Sequence, residues 1–587
     1  MIFEKHIVNI KKVILDYFSE LKIDNNLIQI QETKKEFSGD WTVILFPLKK
    51  FSNLTFSEFA NELGDYLLTK EKTIKSYNIV SGFLNLEFTD KFWLEILEFS
   101  FSPNFELNKK KNSTIVLESC SPNTNKPLHL GHLRNILLGH AMSNILIANG
   151  FKVHKVQIIN DRGIHICKSM LAWLKFGNGD TPSKSNMKGD YFVGKYYVLF
   201  EQKYQEERNK LLKSGYSVKD LDDNSKLLHE VKTMLRKWES GDKELIELWM
   251  KMNSWVYDGF EDTYKKIGIS FDKIYYESDT YLIGKDFIKK GLEKNIFNQK
   301  DDKSVWVNLE DKNLDNKLLL RSDGTAVYIT QDIGTAICRY NDFSFDKMIY
   351  VVGNEQNHHF KVLFEILNKM NYSWSKELFH MSYGMVTLPE GKMKSREGTV
   401  VDIDDLLDEM HKQAKEIILS SNKIDIDNID NLSVMIGDAA LKYYILKPDA
   451  KKDILFNPAE SIDFNGHTGP FIQYTYARIN SILEKSLNLS LLFKIQRSLL
   501  FEEKKLIKLI LNYPIIISQS SEKLNPAVLA NYLFNLAKEY NHFYQKIPIL
   551  NVDNFNDINF RVTLSKKVSV LLSKGMNLLG IKVPSKM

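Results

Sequence analysis

The spacing of apolar and polar residues changes along the chain. Over residues 1–105, helical spacing at 7–21 and 56–68 alternates with a short apolar run, Trp41-Thr-Val-Ile-Leu-Phe46. Such a mixture of helical and strand periods predicts a small α+β module. The polar run Asn108-Lys-Lys-Lys-Asn-Ser113 predicts a linker after it.

A strand–helix–strand pattern begins at Thr114. The apolar run 114–118 predicts a strand, 130–149 a helix that Gly150 ends, and 152–159 the next strand. Because a βαβ unit places its strands side by side and parallel, we expect a Rossmann-like parallel sheet. A further strand at 348–352 and a helix at 360–370 extend the same pattern, and the charged helical stretch 191–267 is predicted to be an insertion in it.

From residue 434 onward the periodicity is almost wholly helical, with predicted helices at 437–446, 471–487, 503–511, 527–545 and 564–579. The predicted fold is therefore α/β, with a Rossmann-like parallel-sheet domain between an N-terminal α+β module and a C-terminal all-helical domain. The expected boundaries are 1–107 for the module, 112–390 for the sheet domain, 391–433 for a connecting region and 434–587 for the helical domain.

Composition narrows the class of protein. The 587 residues are 43% hydrophobic and 26% charged, as in an ordinary globular protein, and they exceed what one core can hold. Neither a membrane-spanning stretch nor the layout of a signal peptide is present, so we expect a cytoplasmic protein without a membrane partner. The three cysteines, Cys120, Cys167 and Cys338, are far apart, which argues against disulfides and a cysteine-built zinc site.

Charge is distributed unevenly. From Phe471 to Met587 there are 16 Lys and Arg against 7 Asp and Glu, a net charge of +9, so the remainder of this +5 chain carries −4. A basic end on a slightly acidic body suggests a bound polyanion, although a solvated lysine-rich surface would give the same count.

The segment Ser121-Pro-Asn-Thr-Asn-Lys-Pro-Leu-His-Leu-Gly-His132 lies between a predicted strand and a predicted helix. The free N–H groups and positive dipole of a helix N-terminus favour phosphate there. Gly131 lets a nucleotide approach the backbone, His129 and His132 share a face, and Lys126 adds positive charge. The alternative, that the two histidines only cap or pack the helix, is weakened by the strand–loop–helix context.

A second cationic segment, Gly391-Lys-Met-Lys-Ser-Arg-Glu-Gly398, follows far downstream. Alone it would indicate only a solvated turn, but glycines on both sides of lysines and a serine also suit a loop over a triphosphate.

These two segments in this order, before a helical domain, resemble the HIGH and KMSKS motifs of class I aminoacyl-tRNA synthetases. Several other segments resemble the arginyl family in particular: Glu118-Ser-Cys-Ser-Pro-Asn-Thr-Asn-Lys-Pro127, Asp323-Gly-Thr-Ala-Val-Tyr-Ile-Thr-Gln-Asp332, Ile349-Tyr-Val-Val-Gly-Asn-Glu-Gln356, Phe471-Ile-Gln-Tyr-Thr-Tyr-Ala-Arg-Ile479 and Tyr540-Asn-His-Phe-Tyr544. The resemblance covers nearly the whole chain. It implies ATP-dependent ligation of L-arginine to tRNA(Arg) through arginyl-adenylate, which releases AMP and pyrophosphate.

The resemblance also implies site residues. Glu118, Tyr328 and Asp332 would hold the substrate guanidinium, which has five donors and no acceptor and so needs carboxylates and neutral acceptors. Asn123, His129 and Gln356 would hold the α-amino and α-carboxylate groups. The alternatives are a helix-surface pair for Tyr328 and Asp332, and for Glu118 a strand-end carboxylate that binds a backbone N–H.

One departure from the family pattern concerns catalysis. If Lys392 and Met393 align with the start of KMSKS, Lys394 replaces its first serine and Ser395 its second lysine. Many arginyl enzymes lack that second lysine and have one just before the HIGH motif, where Lys126 stands. The resemblance thus assigns catalysis to Lys126, His129, His132 and Lys394, and ATP binding to Lys126, His129, Gly131, His132, Lys392 and Met393.

The implied partners are tRNA(Arg), L-arginine and ATP, with Mg²⁺ carried mainly by the nucleotide. We expect neither zinc nor an organic cofactor, and we expect the chain to be a monomer. The N-terminal module would contact the outer corner of tRNA, and the helical domain would bind the anticodon stem, with Tyr474, Tyr476, Tyr540 and Phe543 as candidate base-stacking residues. Two alternatives stay open: a class I synthetase for another amino acid, and a non-catalytic tRNA-binding paralogue.

Overall fold

The computed structural model of the chain describes residues 2–19, 21, 23–34, 36–105, 110–389, 401–420, 428–486 and 489–587. Within these residues the predicted fold is confirmed: a parallel sheet with helices on its faces lies between a small α+β module and a helical C-terminal region.

The N-terminal module is a four-stranded antiparallel sheet, in the order β1-β2-β4-β3, covered by helices. Its elements are α1 (Ile2–Tyr17), β1 (Ile30–Glu32), β2 (Trp41–Ile44), α2 (Phe46–Lys49), α3 (Phe56–Lys70), β3 (Ile74–Val80), β4 (Phe83–Phe88) and α4 (Asp90–Ser100). The predicted strand at 41–46 is two residues too long, because Pro47 at the start of α2 favours a helical turn.

The remaining strands are β5 (Thr114–Glu118), β6 (Lys152–Ile159), β7 (Lys273–Tyr276), β8 (Phe297–Gln299), β9 (Val305–Val307), β10 (Lys317–Leu320), β11 (Lys347–Gly353), β12 (Leu378–Tyr383), β13 (Val386–Thr387) and β14 (Ile454–Leu455). Five of them form the parallel sheet, in the order β12-β11-β5-β6-β7. The chain moves outward from β5 first to one side and later to the other. Such a reversal of strand order opens a crevice at the carboxyl ends of the strands, here between β5 and β11.

The helices of the sheet domain are α5 (Leu130–Ala148), α6 (Ile164–Phe176), α7 (Pro182–Ser185), α8 (Gly189–Lys213), α9 (Leu221–Asn224), α10 (Lys226–Glu239), α11 (Lys243–Ile267), α12 (Glu277–Glu293), α13 (Tyr328–Phe343) and α14 (Asn357–Lys369). Helix α5 is buried along most of its length, which explains its nearly continuous apolar sequence. Gly150 after it has φ +89°, as expected for the glycine that ends a helix. Helices α8 to α11 fill the predicted insertion between β6 and β7.

The C-terminal helices are α15 (Ile403–Ser420), α16 (Ile429–Leu446), α17 (Pro458–Ser461), α18 (Gly469–Glu484), α19 (Phe501–Glu522), α20 (Ala527–Lys546) and α21 (Phe555–Leu578). The predicted end of a helix at Leu511 is wrong, because α19 continues through Pro514. An internal proline costs about 3 kcal/mol, and the buried side chains of Ile510 and Ile517 on either side offset that cost.

Candidate active site at the switch point of the parallel sheet

The loop after β5 leads into α5 at the crevice between β5 and β11, and the two histidines of the first motif cap that helix. The N–H of Gly131 donates to His129 Nδ1 at 3.1 Å, and the N–H of His129 donates to His132 Nδ1 at 3.1 Å. The two rings lie 3.9 Å apart between centroids. Since both Nδ1 atoms accept hydrogen bonds, the proton of each neutral imidazole sits on Nε2. Capping and ligand binding are therefore compatible, because they use different ring nitrogens.

Both histidines are neutral near pH 7. Burial and, next, the charge of Lys126 lower the pKa of His129 to about 4, and burial lowers that of His132 as well. Desolvation also lowers the pKa of Lys126 from its usual value. The imidazoles therefore supply neutral N–H donors, and any positive charge in this motif belongs to Lys126.

The second motif lies outside the described residues, so Lys392, Met393 and Lys394 have no described position. The chain on both sides of that segment contacts the α5 region. After it, the Leu130 N–H donates to Val401 O at 3.1 Å, and the Ile403 N–H donates to Leu128 O at 3.0 Å.

Before the second motif, Arg134 of α5 donates to the carbonyl groups of Gly384 at 2.6 Å and Met385 at 2.7 Å. Its other terminal nitrogen donates to Ala450 O at 3.0 Å and Lys452 O at 2.6 Å. Helix α5 thus carries the first motif and also holds the chain that leads into the second.

Asn123 and Gln356 lie at the carboxyl ends of neighbouring strands. Asn123 follows β5 and forms a bridge with Asn160 after β6, while Gln356 ends the short 3₁₀ turn after β11. Both residues are exposed. Because β5 and β11 are adjacent and parallel, these amides are placed at the same edge of the sheet as His129.

Tyr328 and Asp332 share a face at the start of α13, as their spacing predicts. The Tyr328 side chain is 73% exposed, and Asp332 Oδ2 is 2.6 Å from His359 Nε2 of α14. Burial raises the pKa of Tyr350, and the charges of Glu118, its partner in the sheet, and of Asp332 raise it further, although Arg339 acts in the opposite direction. The Asp332 carboxylate is therefore close to the ends of β5 and β11.

Glu118, the other carboxylate expected at the guanidinium, has different surroundings from Asp332. Its carboxylate is buried, with Oε2 hydrogen-bonded to Arg339 of α13 and Oε1 accepting from the Ser121 hydroxyl at 3.1 Å. An internal guanidinium is therefore already bound to Glu118. The sequence offered no sign of this, because Arg339 lies 221 positions away.

Sequence reasoning missed Glu277, the first residue of α12 directly after β7. This carboxylate is 5% exposed, and burial together with Asp161 and Asp332 raises its pKa to about 8, although Arg162 acts in the opposite direction. Asn123 and Gln356, which the resemblance assigned, also follow parallel strands at their carboxyl ends. A search for polar side chains at such ends would have found Glu277 had β7 been recognised.

Asp161 and Arg162, which follow β6, were also missed. The buried Asp161 accepts from Ser278 N–H at 2.9 Å, Ser278 Oγ at 2.7 Å and Tyr257 Oη at 3.1 Å, and so fixes the start of α12. Arg162 pairs with Glu239 of the insertion at 2.7 Å. The insertion therefore contacts the residues that position Glu277.

The aromatic candidates of the helical region separate into two groups. Tyr540 and Phe543 are fully buried, so their expected role in base stacking is wrong, and Tyr476 is partly buried in the core. The candidate Tyr474 is 42% exposed. Tyr544, which sequence reasoning missed, is 41% exposed, and the Arg478 guanidinium lies 4.9 Å from the centroid of each of these two rings.

Two kinds of site are absent from the part of the chain that the structure describes. No group of three or more His, Cys, Asp or Glu side chains could hold a metal ion there. None of its helices combines the length and apolar character required to cross a membrane.

Comparison with known proteins identifies the family. Residues 100–457 match the family described as tRNA synthetases class I (R), catalytic domain, and residues 472–587 match the DALR anticodon binding domain. The chain is 50% identical to an arginine–tRNA ligase of Bacteroides thetaiotaomicron over 576 residues, which cover 96% of each chain. It is 48% identical to that of Flavobacterium psychrophilum over 581 residues, covering 95% of this chain and 96% of the relative.

Solved structures show the same fold at lower identity. Arginyl-tRNA synthetase of Thermus thermophilus matches with a TM-score of 0.78 at 23% identity, covering 98% of this chain and 99% of that one. The enzyme of Plasmodium falciparum matches with a TM-score of 0.75 at 20% identity, covering 99% of each. By its sequence identity over almost its entire length, the chain belongs to the arginine–tRNA ligase family of class I tRNA synthetases.

Proposed function

We propose that the chain ligates L-arginine to tRNA(Arg) in two steps. The arginine carboxylate attacks the α-phosphate of ATP and releases pyrophosphate, and the terminal ribose hydroxyl of tRNA then attacks the arginyl-adenylate and releases AMP. The observation that carries this proposal is the 50% identity over 96% of the chain to an arginine–tRNA ligase.

For ATP, we assign Lys126, His129, Gly131 and His132 to the triphosphate. Lys126 offers a charge whose desolvation strengthens its attraction to the phosphates, and the histidines offer Nε2–H donors that their Nδ1 contacts hold in place. Such preorganised donors stabilise the charge that develops as pyrophosphate leaves. The ion accompanying ATP would be Mg²⁺, held mainly by phosphate oxygens.

Lys392, Met393 and Lys394 retain their proposed roles in ATP binding, with Lys394 as a catalytic helper. The support is indirect: the contacts of residues 384–385 and 401–403 with the α5 region bring both flanks of their segment close to the first motif.

For arginine, the guanidinium would bind to Asp332 and Tyr328, and the α-amino and α-carboxylate groups to Asn123, His129 and Gln356. The exposed Tyr328 and half-exposed Asp332 are accessible from the crevice. Glu118 keeps its expected role as a further acceptor for the guanidinium. Its pairing with Arg339 would fix the base of the pocket, because an unpaired carboxylate buried there would be costly.

Glu277 extends the proposed guanidinium pocket. In the arginine-free protein its raised pKa reflects burial and two neighbouring carboxylates. A bound guanidinium would offset all three effects, since an opposite charge favours the ionised form. Asp332 and Glu277 together then provide the acceptors that a five-donor fork requires.

For tRNA, we assign residues 1–107 to its outer corner and 434–587 to the anticodon stem and loop, with 112–390 as the catalytic domain, 191–267 as its insertion and 391–433 as the connection. Tyr474 and Tyr544 offer exposed rings for base stacking, and Arg478 between them adds charge. We expect the chain to act as a monomer in the cytoplasm.

Aminoacylation of total tRNA with each of the twenty amino acids tests the function. We expect charging with arginine and little with any other amino acid. In Lys126→Ala, adenylate formation should be at least a hundredfold slower, which corresponds to a loss of about 3 kcal/mol in transition-state stabilisation. Arginine binding should change less. Lys152→Ala, an exposed lysine at the start of β6 in the same domain, is the control.

Each alternative predicts a different result. Charging with another amino acid would establish a class I synthetase of different specificity. Tight tRNA binding with no charging at all would establish a non-catalytic paralogue. Equal losses of arginine binding and adenylate formation in Lys126→Ala would show that Lys126 only shapes the site.

A further inference from the structure

His359 of α14 contacts the carboxylate proposed to bind the substrate guanidinium. Its Nε2 is 2.6 Å from Asp332 Oδ2, and the two side chains are 21% and 40% exposed. The pair joins α13, which carries Tyr328 and Asp332, to α14, whose first turn follows Gln356 directly. It therefore links the two elements that carry opposite ends of the proposed arginine pocket.

The histidine side of this pair is the more firmly held. His359 precedes Phe360, a buried ring that packs 5.0 Å from the Tyr350 ring in the sheet and 4.4 Å from the His380 ring. The backbone of His359 is thus fixed relative to the parallel sheet. Asp332 projects from the start of α13 into a more open environment, so its orientation depends on what it contacts.

We infer that His359 is a positioning residue that orients the Asp332 carboxylate for a substrate guanidinium, an inference that rests on the proposed function. A carboxylate has about four acceptor sites, and His359 occupies one of them on Oδ2. No residue in the described ranges donates a hydrogen bond to Oδ1. The hydrogen bond from His359 fixes the plane of the carboxylate and leaves acceptor sites for the parallel N–H groups of a guanidinium.

A different role for the pair would be to fasten α14 to α13 without influence on substrate. The two roles differ in what they predict. A fastening role changes the stability of the protein and leaves the arginine requirement unchanged, whereas a positioning role changes the KM for arginine specifically.

The experiment compares His359→Leu, which removes the donor, with His359→Gln, whose side-chain amide can restore it. His358→Leu is the matched control, because His358 is the exposed neighbour in the same turn. Aminoacylation by the full-length protein gives kcat and the KM values for arginine and ATP, and urea unfolding reports stability.

We expect His359→Leu to raise the KM for arginine about tenfold, the effect of one lost hydrogen bond to a charged group, with kcat and the KM for ATP within about twofold. His359→Gln should recover most of the arginine affinity, and His358→Leu should match the unaltered protein. If His359→Leu does not fold, His359→Asn, whose amide is too short to reach, carries the same expectation.

An unchanged KM for arginine in folded His359→Leu would overturn the inference. So would equal increases in the KM values for arginine and ATP, or no recovery in His359→Gln. These results are distinct from failure of the proposed function, which would show as the unaltered protein failing to charge tRNA with arginine.

Discussion

The contacts of single side chains in the crevice bear on alternatives that the sequence left open. His129 and His132 cap α5 through Nδ1 and leave Nε2 for the proposed ligand, so the two interpretations of their spacing do not exclude each other. Glu118 and Asp332 show the opposite case. They were expected to act alike, yet Glu118 is paired inside the protein with Arg339 while Asp332 is half-exposed.

We expect Glu277 to make arginine binding dependent on pH. With a pKa of about 8 it is mostly protonated at pH 7 in the arginine-free protein, and the proposed guanidinium contact needs the ionised form. Affinity should therefore be weak below the raised pKa and reach its full value above it. We expect the KM for arginine to fall about tenfold between pH 6.5 and pH 8.

Steady-state charging over this pH range measures the effect. Glu277→Gln should flatten the profile and raise the KM for arginine at pH 8, whereas Asp279→Asn, an exposed carboxylate in the same turn, should preserve the slope. A profile with the same slope in Glu277→Gln would exclude Glu277 from the pocket.

At the scale of elements, α5 organises the site. Its N-terminus carries the first motif, its first turn pairs with residues 401–403, and Arg134 one turn later holds residues 384–385 and 450–452. The insertion contacts the loop after β6, where Trp249 of α11 donates to the Asp161 carbonyl at 2.6 Å. Several helices thus meet at the carboxyl ends of the strands.

Arg134 should contribute strongly to stability. Its buried guanidinium donates to four carbonyl groups, and burial lowers its pKa to about 10, so it remains charged at neutral pH. Arg134→Met leaves these carbonyls without their donor, and we expect a loss of about 4 kcal/mol in the free energy of unfolding.

Urea unfolding at pH 7 measures that loss, with Arg236→Met on the exposed face of α10 as the control for the same exchange of side chains. Arg134→Lys should fall between the two, because an ammonium can satisfy some but not all of the carbonyls. A value for Arg134→Met within 1 kcal/mol of the unaltered protein would contradict the prediction.

At the scale of the whole molecule, the N-terminal module packs against the helical domain. Lys504 of α19 pairs with Asp90 at 2.8 Å, and Lys508 pairs with Glu32 at 3.0 Å. Part of the excess positive charge counted in the C-terminal region is therefore used within the protein. The exposed group Tyr474–Arg478–Tyr544 is the part of this region that we propose for a polyanion.

Arg478→Ala tests that surface. Losing the cation between two exposed rings should raise the KM for tRNA about tenfold. The KM for arginine should stay unchanged, because these residues lie on α18 and α20 and none of them belongs to the proposed arginine pocket. Charging measured at two salt concentrations should also show a shallower salt dependence in the variant.

Arg208→Ala is the matched control, since Arg208 also lies over a tyrosine ring, that of Tyr204, but in the insertion. If both variants show the same KM for tRNA, the Tyr474–Arg478–Tyr544 group does not contribute to tRNA binding.

The sequence alone was sufficient for the order of the main regions, the βαβ unit around β5 and α5, and the motif at its turn. These features depend on contacts between near neighbours, on the alternation of apolar residues and on the residues that end helices. The shared face of Tyr328 and Asp332 could be predicted for the same reason, because four residues make about one helical turn.

Tertiary structure decided which of several equivalent side chains is accessible. Glu118 meets Arg339, Asp332 meets His359, and Glu277 meets Asp161 only because distant strands end at one edge of the sheet. The burial of Tyr540 and the exposure of Tyr474 likewise depend on how helices pack against one another. Residue spacing specifies a local face, but charge pairing and burial depend on what the rest of the chain places against that face.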